Sequence, residues 1–360
     1  MKRIALFTPS KHTYSETFIQ LHIDGLNHVN WVYHDGEQPT KCNDVSFPPL
    51  SKWTIRFLNW RYNRKWGWEQ WSLFQSLKMN QPDVVYFEYG TTAVANIEVV
   101  ELLNIATITN FHGFDISVFD ILKKNQERYR NLFLNTNNRF VVVSKKMLNR
   151  IVEMGAREKS ILYSPCGANK EYQKIVPNLN SKQFVMLGRL VEKKSPLSSL
   201  KAFYQVYQRD KEVRLAIIGN GPLMSNCEEF VQKNNLMDAV IFHGVLDREA
   251  IMKVFAESSC FIQHSIVASN GDEEGTPVAI LEAMLSGLVV VSTRHAGIAD
   301  VVKDDCGYLV EEDAIAEMAE AMYKAVSNTD VSSVMSKNAR QFVLAHHTSE
   351  IHLEQINSFL

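Results

Sequence analysis

Short apolar runs with the character of β-strands recur along the whole chain, separated by stretches of helical character. These runs cover residues 4–8, 29–33, 84–87, 106–111, 140–144, 184–187, 215–218, 240–242, 260–263 and 289–292. Strands that alternate with helices in this way form parallel sheets whose faces are covered by the helices. The chain is therefore predicted to have an α/β fold with two parallel, helix-flanked sheets. Its chemistry is expected in the loops that follow the carboxyl ends of the strands.

The length of the chain, 360 residues, is sufficient for two domains with cores of their own, since 46% of the residues are hydrophobic. The polar, proline-containing segment 170–182 is the expected seam, and we place the boundary between residues 172 and 173. The formal net charge is −2, so no global field would attract nucleic acid, and no nucleic-acid partner is expected.

The cysteines are far apart and show neither zinc-ligand nor redox spacing; they are Cys42, Cys166, Cys227, Cys260 and Cys306. Reduced thiols in a cytosolic protein are the simplest account of them. The apolar run after Met1 is too short for a signal peptide, and no run approaches the length of a membrane span. We therefore expect a cytoplasmic protein.

Segment 271–287 changes from an acidic, glycine-punctuated stretch to a run, 277–285, that is apolar except for Glu282. Thr276 is a suitable N-cap, Pro277 suits the first helical position, and Gly287 suits the left-handed residue that ends a helix. The segment therefore predicts a loop that leads into a buried helix.

Two carboxylates stand on either side of the start of this helix. Glu282 needs a partner in so apolar a helix, and that partner is either a core arginine or a neighbouring backbone group, or else a ligand. Glu274 lies before the helix begins, and the backbone N–H groups around residues 275–278 form a positive helix terminus of the kind that holds phosphate. Two acceptors that flank an anion site suit a nucleotide sugar, which has hydroxyls on both sides of its diphosphate.

The run Glu-Gly-Thr-Pro-Val-Ala-Ile-Leu-Glu-Ala-Met at 274–284 resembles the Glu-x7-Glu signature of the retaining glycosyltransferases of family four, the glycosyl transferases group 1. The likeness continues through 289–293 and Gly297-Ile298, and it is strongest over 184–310. It implies the GT-B architecture, in which two Rossmann-like domains face each other across a cleft. Residues 1–172 would form the acceptor-side domain and 173–339 the donor-binding domain. The family's last helix usually returns to the first domain, so residues 340–360 are expected there.

The same resemblance assigns roles in the donor-binding half. Glu282 would accept hydrogen bonds from the ribose, and Glu274 would hold the donor sugar. The leaving diphosphate would be stabilised by Arg189 and Lys194, and at the helix start by Gly275, Thr276, Pro277 and Val278. Relatives usually have glycine after that lysine, and Ser195 departs from this pattern. Lys193 is interpreted as a solvated surface residue.

Two further loops of this half are expected beside the nucleotide. Gly188, Asn220 and Gly221 are assigned to the donor site, although 217–223 is no dinucleotide fingerprint because Met224 stands where a third glycine should be. Segment 242–246 resembles the one whose backbone lies against the base, which adds Leu246.

The first half carries an expected active-site histidine, His112, directly after a strand-like run. In the family this residue approaches the donor sugar, whereas a lone histidine after a strand is more often structural. Asp115 is expected to brace its loop. The Ser-Glu-Thr-Phe run at 15–18 resembles an exopolysaccharide subgroup in which Ser15, Glu16 and Thr17 face the acceptor; the alternative is simple helix capping.

These assignments predict a retaining hexosyltransferase that moves sugar from a nucleotide diphosphate to a glycan or lipid-linked saccharide in surface polysaccharide assembly. A UDP-sugar is preferred over a GDP-sugar. No Asp-x-Asp and no His/Cys cluster with ligand spacing occurs, so no cofactor and no metal are expected. The alternatives are an epimerase or hydrolase on the same fold, and a nucleotide-sugar binding protein without activity.

Segment 51–71 holds five of the six tryptophans and five basic residues against one acidic residue. At helical spacing one stripe would comprise Trp53, Phe57, Trp60, Trp68 and Trp71, which is the layout of an interfacial helix. We expect this segment to touch a membrane or a lipid-linked acceptor, which would place the protein peripherally on the inner face of the membrane. The alternative is that its tryptophans pack into the core of the first domain.

Overall fold

A computed structural model describes residues 2–11 and 16–360, and the chain divides into two compact units. Unit 1 comprises Met1–Ser164 and Leu353–Leu360, and unit 2 comprises Pro165–His352. The division therefore lies between residues 164 and 165 rather than between 172 and 173. Residues 340–352 stay with unit 2, and from the expected returning segment 340–360 only residues 353–360 join unit 1.

Unit 1 contains an eight-stranded sheet with the strand order β4-β3-β2-β1-β5-β6-β7-β8. The pairs from β2 to β8 in this order are parallel, while β3 and β4 add an antiparallel edge. The strands are β1 Ile4–Phe7, β2 Val29–His34, β3 Lys41–Cys42, β4 Val45–Ser46, β5 Val84–Glu88, β6 Ala106–Phe111, β7 Asn138–Val142 and β8 Ile161–Tyr163. The strands predicted for the first half are confirmed, and β3, β4 and β8 are additional.

The helices of unit 1 follow the strands as the alternation predicts. They are α1 Thr17–Gly25, α2 Lys52–Tyr62, α3 Trp68–Asn80, α4 Gly90–Leu102, α5 Phe114–Ser117, α6 Phe119–Leu134 and α7 Lys145–Glu153. Strands β1 and β5 are buried along their whole length, as apolar central strands with covered faces should be.

Unit 2 contains a six-stranded sheet, entirely parallel, with the strand order β11-β10-β9-β12-β13-β14. Its strands are β9 Gln183–Leu187, β10 Arg214–Ile218, β11 Val240–Gly244, β12 Cys260–Gln263, β13 Val289–Thr293 and β14 Gly307–Val310. Its helices are α8 Pro196–Arg209, α9 Met224–Lys233, α10 Arg248–Glu257, α11 Val278–Ser286, α12 Ile298–Val301, α13 Ile315–Ser327 and α14 Thr329–His346. Short 3₁₀ helices cover Glu158–Ser160 in unit 1 and Lys170–Lys174 and Glu192–Lys194 in unit 2. The predicted α/β fold with two parallel sheets is confirmed.

Two apolar cores lie on opposite faces of the unit 2 sheet because side chains alternate along each strand. In β10, Leu215 and Ile217 join the core formed with α8 and α13, whereas Ala216 and Ile218 join the core formed with α10, α11 and α14. Because α11 belongs to the second core, the start of this helix has a fixed position at the carboxyl end of the sheet.

The last helix, α15 Ser349–Phe359, begins in unit 2 and ends in unit 1. Within unit 1 its Ile356 is fully buried in the core that includes Ile4 and Leu6 of β1. Gly25 lies so close to Leu353 that a β-carbon there would be 2.3 Å from its Cδ1. The end of α15 is therefore an integral part of unit 1.

Helix α11 starts one residue later than expected. Pro277 is its N-cap with extended backbone, and Val278 is the first helical residue, so Thr276 does not cap it. Gly287 ends the helix in the left-handed conformation at φ 81°, as predicted. Arg340 donates to the carbonyl of Ser286 at 2.6 Å, which satisfies one of the last acceptors of the helix.

Segment 51–71 is two helices rather than one stripe. Asn63 adopts a left-handed backbone with φ 50° and ends α2, and the side chain of Asn59 bonds the indole of Trp71 at 2.9 Å. Trp66 and Trp71 are buried, whereas Trp53, Phe57 and Trp60 are exposed. The expectation that Trp71 shares a face with Trp53 is therefore wrong, because the chain turns between them.

Among the helices built from the described residues, none is both long and apolar enough to cross a bilayer. All the cysteines are free thiols.

Candidate active site

The loops that follow β9 and β10 are hydrogen-bonded to each other and to the last residue of β11, at the carboxyl edge of the unit 2 sheet. The amide of Leu190 donates to the carbonyl of Asn220 at 3.0 Å, and the amide of Gly219 donates to the carbonyl of Gly244 at 2.7 Å. A β-carbon at Gly221 would lie 2.5 Å from the carbonyl oxygen of Leu190, so only glycine permits this approach. The loops carrying Gly188, Asn220 and Gly221 therefore lie together, as the sequence indicated.

Leu246 lies in the loop after β11 and is partly buried against the core that contains α11. Arg189 is exposed. It lines a narrow cavity together with Gly188, Lys194 and Gln263. The two cations predicted to bind phosphate are thus neighbours along the wall of one cavity.

The two lysines of the 3₁₀ helix Glu192–Lys194 have different surroundings. Lys193 is buried, and its ammonium group lies 3.0 Å from Asp272 and donates to the carbonyl of Glu273 at 3.2 Å. The interpretation of Lys193 as a solvated residue is therefore wrong, since it ties this turn to the loop before α11. Ser195, which stands where relatives have glycine, adopts the left-handed conformation at φ 35°, so the turn forms despite the side chain.

Lys194 contacts the loop before α11 directly. Its Nζ lies 3.1 Å from Oε1 of Glu274 and 3.4 Å from Oε1 of Gln263. Glu274 is 7% exposed. Its Oε1 makes no directed hydrogen bond among the described residues, so the contact with Lys194 is an ion pair of poor hydrogen-bond geometry. Burial raises the pKa of Glu274, but the charges of Lys194 and Lys193 outweigh it and hold that pKa below its usual value.

His295 holds the backbone of Glu274, and the sequence reasoning passed over it. The amide of Glu274 donates to Nε2 of His295 at 3.2 Å, and Nδ1 lies 2.6 Å from Oε1 of Glu312. Because an amide can only donate, Nε2 carries no proton, and Nδ1 donates to the carboxylate. The available signal was a histidine three residues after the predicted strand 289–292, at the edge where the site was expected.

Residues 275–277, just before α11, are buried, and Val278 is partly buried. A β-carbon at Gly297 would lie 2.1 Å from the carbonyl oxygen of Gly275, so the loop after β13 presses against the helix start. The first amides of α11 have no partners within the helix, and they carry its positive end. Together with Lys194, this terminus makes the region favourable for an anion.

Glu282 has a structural partner in the described chain, the hydroxyl of Tyr172. Its surface is partly exposed, yet the surrounding protein is dense enough that burial raises the pKa of Glu282 to about 8, against the lowering effects of Arg248 and Tyr172. Burial, followed by the charge of Glu282, raises the pKa of Tyr172 in turn. Of the alternatives, a core arginine is absent among the described partners of Glu282: Arg248 acts only through its charge and is itself exposed, and the hydrogen bond comes from Tyr172.

In unit 1, His112 follows β6 and is held by a buried carboxylate that the sequence reasoning did not identify. Oε2 of Glu88 lies 2.7 Å from Nε2 of His112, and Oε1 lies 2.6 Å from Nδ1 of His22. Both histidines therefore donate to Glu88, which is fully buried. Burial raises the pKa of Glu88, but the charge of His22 and the hydrogen bonds outweigh it and lower that pKa to about 2.

Asp115 braces the loop that carries His112, as expected. Its Oδ1 accepts from the amides of His112 at 3.1 Å and Gly113 at 3.0 Å, and its Oδ2 accepts from the amide of Gly90 at 2.8 Å. Burial raises the pKa of Asp115 against the opposing effects of His112 and these amides. Asp115 thus holds the backbone at His112 and Gly113 and ties it to Gly90, the first residue of α4.

The described part of the first loop meets His112 through aromatic rings. Phe18 stacks on the imidazole at 4.1 Å, and Tyr89, at φ 72°, packs edge-on against it at 5.0 Å. Glu16 is hydrogen-bonded to the hydroxyl of Tyr89, whose pKa is raised by burial and then by Glu16. Thr17 is the exposed first residue of α1. Ser15 lies outside the described residues.

The chain is similar in sequence to known glycosyltransferases. Residues 168–342 match the family model described as glycosyl transferases group 1. The chain is 27% identical to the putative colanic acid biosynthesis glycosyltransferase WcaL of Escherichia coli, over 77% of this chain and 70% of that protein. It is 29% identical to the amylovoran biosynthesis glycosyltransferase AmsK of Erwinia amylovora, over 70% of this chain and 63% of that protein.

Two further matches name the substrates or ligands of those proteins. An Escherichia coli protein named UDP-Gal:alpha-D-GlcNAc-diphosphoundecaprenol alpha-1,3-galactosyltransferase is 23% identical over 76% of this chain and 73% of its own length. The crystal structure of Anabaena Alr3699/HepE in complex with UDP-glucose superimposes with a TM-score of 0.77 and 16% identity, covering 99% of both chains. Residues 168–342 therefore carry the sequence pattern of glycosyl transferases group 1, the chain is similar to glycosyltransferases named for colanic acid and amylovoran biosynthesis, and its fold is the GT-B fold of the solved structure.

Proposed function

We propose that the protein transfers a hexosyl residue from a UDP-sugar to a glycan or lipid-linked saccharide, with retention at the anomeric carbon. The observation that carries this proposal is the Lys194–Glu274 ion pair beside the start of α11. It places a cation, a carboxylate and a positive helix terminus together. A donor sugar joined to a diphosphate has hydroxyls and negative charge at the matching positions.

The nucleotide would be bound by unit 2. The loops with Gly188, Asn220, Gly221 and Leu246 lie at the carboxyl ends of neighbouring strands, where open parallel sheets bind ligands. Glu282 would accept hydrogen bonds from the ribose hydroxyls, either in place of the bond from Tyr172 or in addition to it. The UDP-glucose bound in the Anabaena structure supports a uridine donor over a guanosine donor.

Transfer breaks the bond between the anomeric carbon and the diphosphate oxygen, and it forms a bond from that carbon to an acceptor oxygen. Charge grows on the leaving diphosphate, so Arg189, Lys194 and the amides at 275–278 would stabilise the transition state. Glu274 is ionised at neutral pH because its pKa is held low, and it would accept hydrogen bonds from sugar hydroxyls. We assign no covalent nucleophile; the acceptor would attack the same face and pass its proton to the leaving phosphate.

Unit 1 would supply the acceptor side and the histidine. His112 is oriented by Glu88 and covered by Phe18, and we keep for it a role in the transfer step. Ser15, Glu16 and Thr17 remain assigned to the acceptor. A polyprenyl-linked saccharide fits this proposal, and the name of the galactosyltransferase relative supports it. The protein would then act on the cytoplasmic side, without a metal, in peripheral contact with the membrane.

The test begins with thermal unfolding in the presence of UDP, GDP and their sugars. A nucleotide at about 100 times its dissociation constant adds about 2.7 kcal/mol to stability. We expect UDP to give the larger shift, and NMR of the product to show the anomeric configuration of the donor. Transfer should persist in EDTA. A flat response to every nucleotide, or an inverted product, would contradict the proposal.

The two alternatives give other outcomes in the same assay. An epimerase or hydrolase converts the donor without an acceptor, and an inactive binding protein shows the thermal shift but forms no product with any acceptor. Neither accounts for the pairing of Lys194 with Glu274 beside the start of α11 as directly as transfer does.

A further inference from the structure

Helix α2 carries three large aromatic side chains on its outer face. Trp53, Phe57 and Trp60 are 80%, 59% and 77% exposed. They are spaced four and three residues apart, which places them on one stripe of the helix. The rings of Phe57 and Trp60 lie 6.1 Å apart, so the stripe is continuous at this end.

The opposite face of α2 already packs against the protein. Ile55, Leu58 and Tyr62 are partly buried, and the ring of Tyr62 lies 5.4 Å from that of Trp71 and 5.3 Å from that of Phe74. Ser51 caps the helix by accepting from the amide of Thr54. The helix is therefore anchored without the stripe, and the three aromatic side chains contribute little to the core.

By helical spacing, Lys52 and Arg56 lie on one side of the stripe and Arg61 on the other, and Lys65 follows the end of the helix. Lys52, Arg56, Arg61 and Lys65 are all exposed, and segment 51–71 contains a single acidic residue, Glu69. Arg64 differs from them because it is partly buried, with its guanidinium 5.4 Å from the centre of the Trp66 ring. The chain as a whole carries a net charge of −2, so this is a local concentration of positive charge.

We propose that this face of α2, the stripe with its four flanking cations, docks on an anionic phospholipid surface. The helix would lie in the plane of the interface, with its aromatic rings among the lipids and its cations on the phosphate headgroups. A protein partner fits less well. The three side chains offer on the order of 400 Å² of exposed surface, about half of the roughly 800 Å² that each side of a stable protein interface buries.

This proposal rests on residues of unit 1 alone. It deepens the proposed function in one respect, since a lipid-linked acceptor would lie at the same surface. Its test measures binding to vesicles and not transfer, so failure of the donor site would leave it unaffected.

The test is co-sedimentation with vesicles of phosphatidylglycerol mixed with phosphatidylcholine, and with phosphatidylcholine alone. We expect the wild type to bind the anionic vesicles, with weaker binding as salt increases. The triple variant W53S/F57S/W60S should lose on the order of tenfold or more in partitioning to either vesicle. The variant K52Q/R56Q/R61Q/K65Q should lose mainly the preference for the anionic vesicles. Tryptophan emission of the wild type should shift to the blue on binding.

Matched controls come from α6 of the same unit. Phe119 is 61% exposed, and Lys123, Lys124 and Arg128 are exposed, so F119S and K123Q/K124Q/R128Q change comparable surface elsewhere and should bind as the wild type does. Thermal unfolding checks that each variant folds. If W53S/F57S/W60S does not fold, the single variant W60S is used in its place.

Three outcomes would overturn the proposal. They are no binding by the wild type, equal binding by the wild type and the stripe variants, or a wild-type dimer in sedimentation equilibrium that the stripe variants dissociate. The last outcome would make the stripe an interface between two copies of the chain.

Discussion

The ammonium group of Lys194 lies 3.1 Å from Oε1 of Glu274, at the point where the loop after β12 turns into α11. One interaction thus joins the loop after β9 to the loop after β12. It also explains why the carboxylate stays ionised in a buried place. In the proposed reaction the same lysine would neutralise a phosphate and hold the glutamate that accepts hydrogen bonds from the donor sugar.

Replacing either candidate phosphate-binding cation should slow transfer. We expect R189A and K194A each to reduce kcat by on the order of 100-fold or more, because they act on charge that develops in the transition state. Steady-state kinetics with saturating donor measures this. The exposed lysine of α8, Lys201, provides a matched control, and K201A should be unaffected. Wild-type rates in both variants would remove Arg189 and Lys194 from the site.

The two glutamates that flank the helix start should have separable effects. E282Q should weaken UDP binding by about tenfold, since the carboxyl can accept from both ribose hydroxyls once it loses its proton on binding, and an amide has a single acceptor oxygen; E274Q should chiefly lower kcat. Calorimetric titration with UDP and transfer kinetics distinguish the two. If E282Q binds UDP as tightly as the wild type, Glu282 serves only as the partner of Tyr172.

The raised pKa of Glu282, about 8 in the folded chain, predicts an unusual pH dependence of stability. Between about pH 4.5 and 8 the unfolded state has lost this proton while the folded state retains it, so this carboxyl makes the protein less stable as pH rises. E282Q lacks this titration. We therefore expect the stability of E282Q relative to the wild type to increase from pH 5 to 8 and then level off. Urea unfolding at a series of pH values, without nucleotide, measures the difference; a constant difference would show that the carboxyl titrates normally.

Glu88 should have the opposite effect on the pH dependence of stability. Its pKa is lowered to about 2 by His22 and His112 despite burial, so its contribution to stability is present above about pH 4.5 and is lost as pH falls towards 2. E88Q should reduce stability at pH 7 and flatten this acid dependence. The amide of E88Q has one acceptor oxygen and can accept from only one of the two histidines. Since His112 would then be held less firmly, we also expect kcat to fall in E88Q. Acid unfolding followed by circular dichroism tests the first effect, and a pH profile that matches the wild type would contradict it.

Sequence patterns predicted the sheets well because β-strands in parallel sheets are buried on both faces. Runs such as 289–292 and 215–218 are continuously apolar, so their positions were readable without a structure. The site residues near α11 were readable because two carboxylates in so apolar a segment need an explanation. The prediction of one stripe over segment 51–71 was wrong because the tryptophans keep helical spacing across Asn63. The left-handed conformation of Asn63, which ends α2, cannot be read from the spacing of the tryptophans.

The residues that the sequence did not reveal are those that act through tertiary contacts. Glu88 lies 24 positions from His112, and Glu312 lies 17 positions from His295, so neither pairing follows from local spacing. The solvated interpretation of Lys193 failed for the same reason, since its partner Asp272 is 79 positions away. Only the packing of neighbouring loops at the edge of the sheet brings these groups together.

His295 provides the last prediction, because it is a positioning residue whose effect should be separable from folding and from donor binding. Its Nε2 accepts from the amide of Glu274, and its Nδ1 donates to Glu312, so the ring fixes the backbone of the residue that we assign to the sugar. H295F removes both bonds and should lower kcat by on the order of tenfold or more, because small displacements of a positioned group are costly in the transition state. H295Q keeps an acceptor near the position of Nε2 and should recover part of that loss. UDP affinity should fall less than kcat in both variants, since His295 bonds the backbone of the residue assigned to the sugar, while the nucleoside is assigned to the loops after β9, β10 and β11. A parallel loss of UDP affinity and kcat in H295F, with no recovery in H295Q, would show that His295 supports only the general structure of the loop.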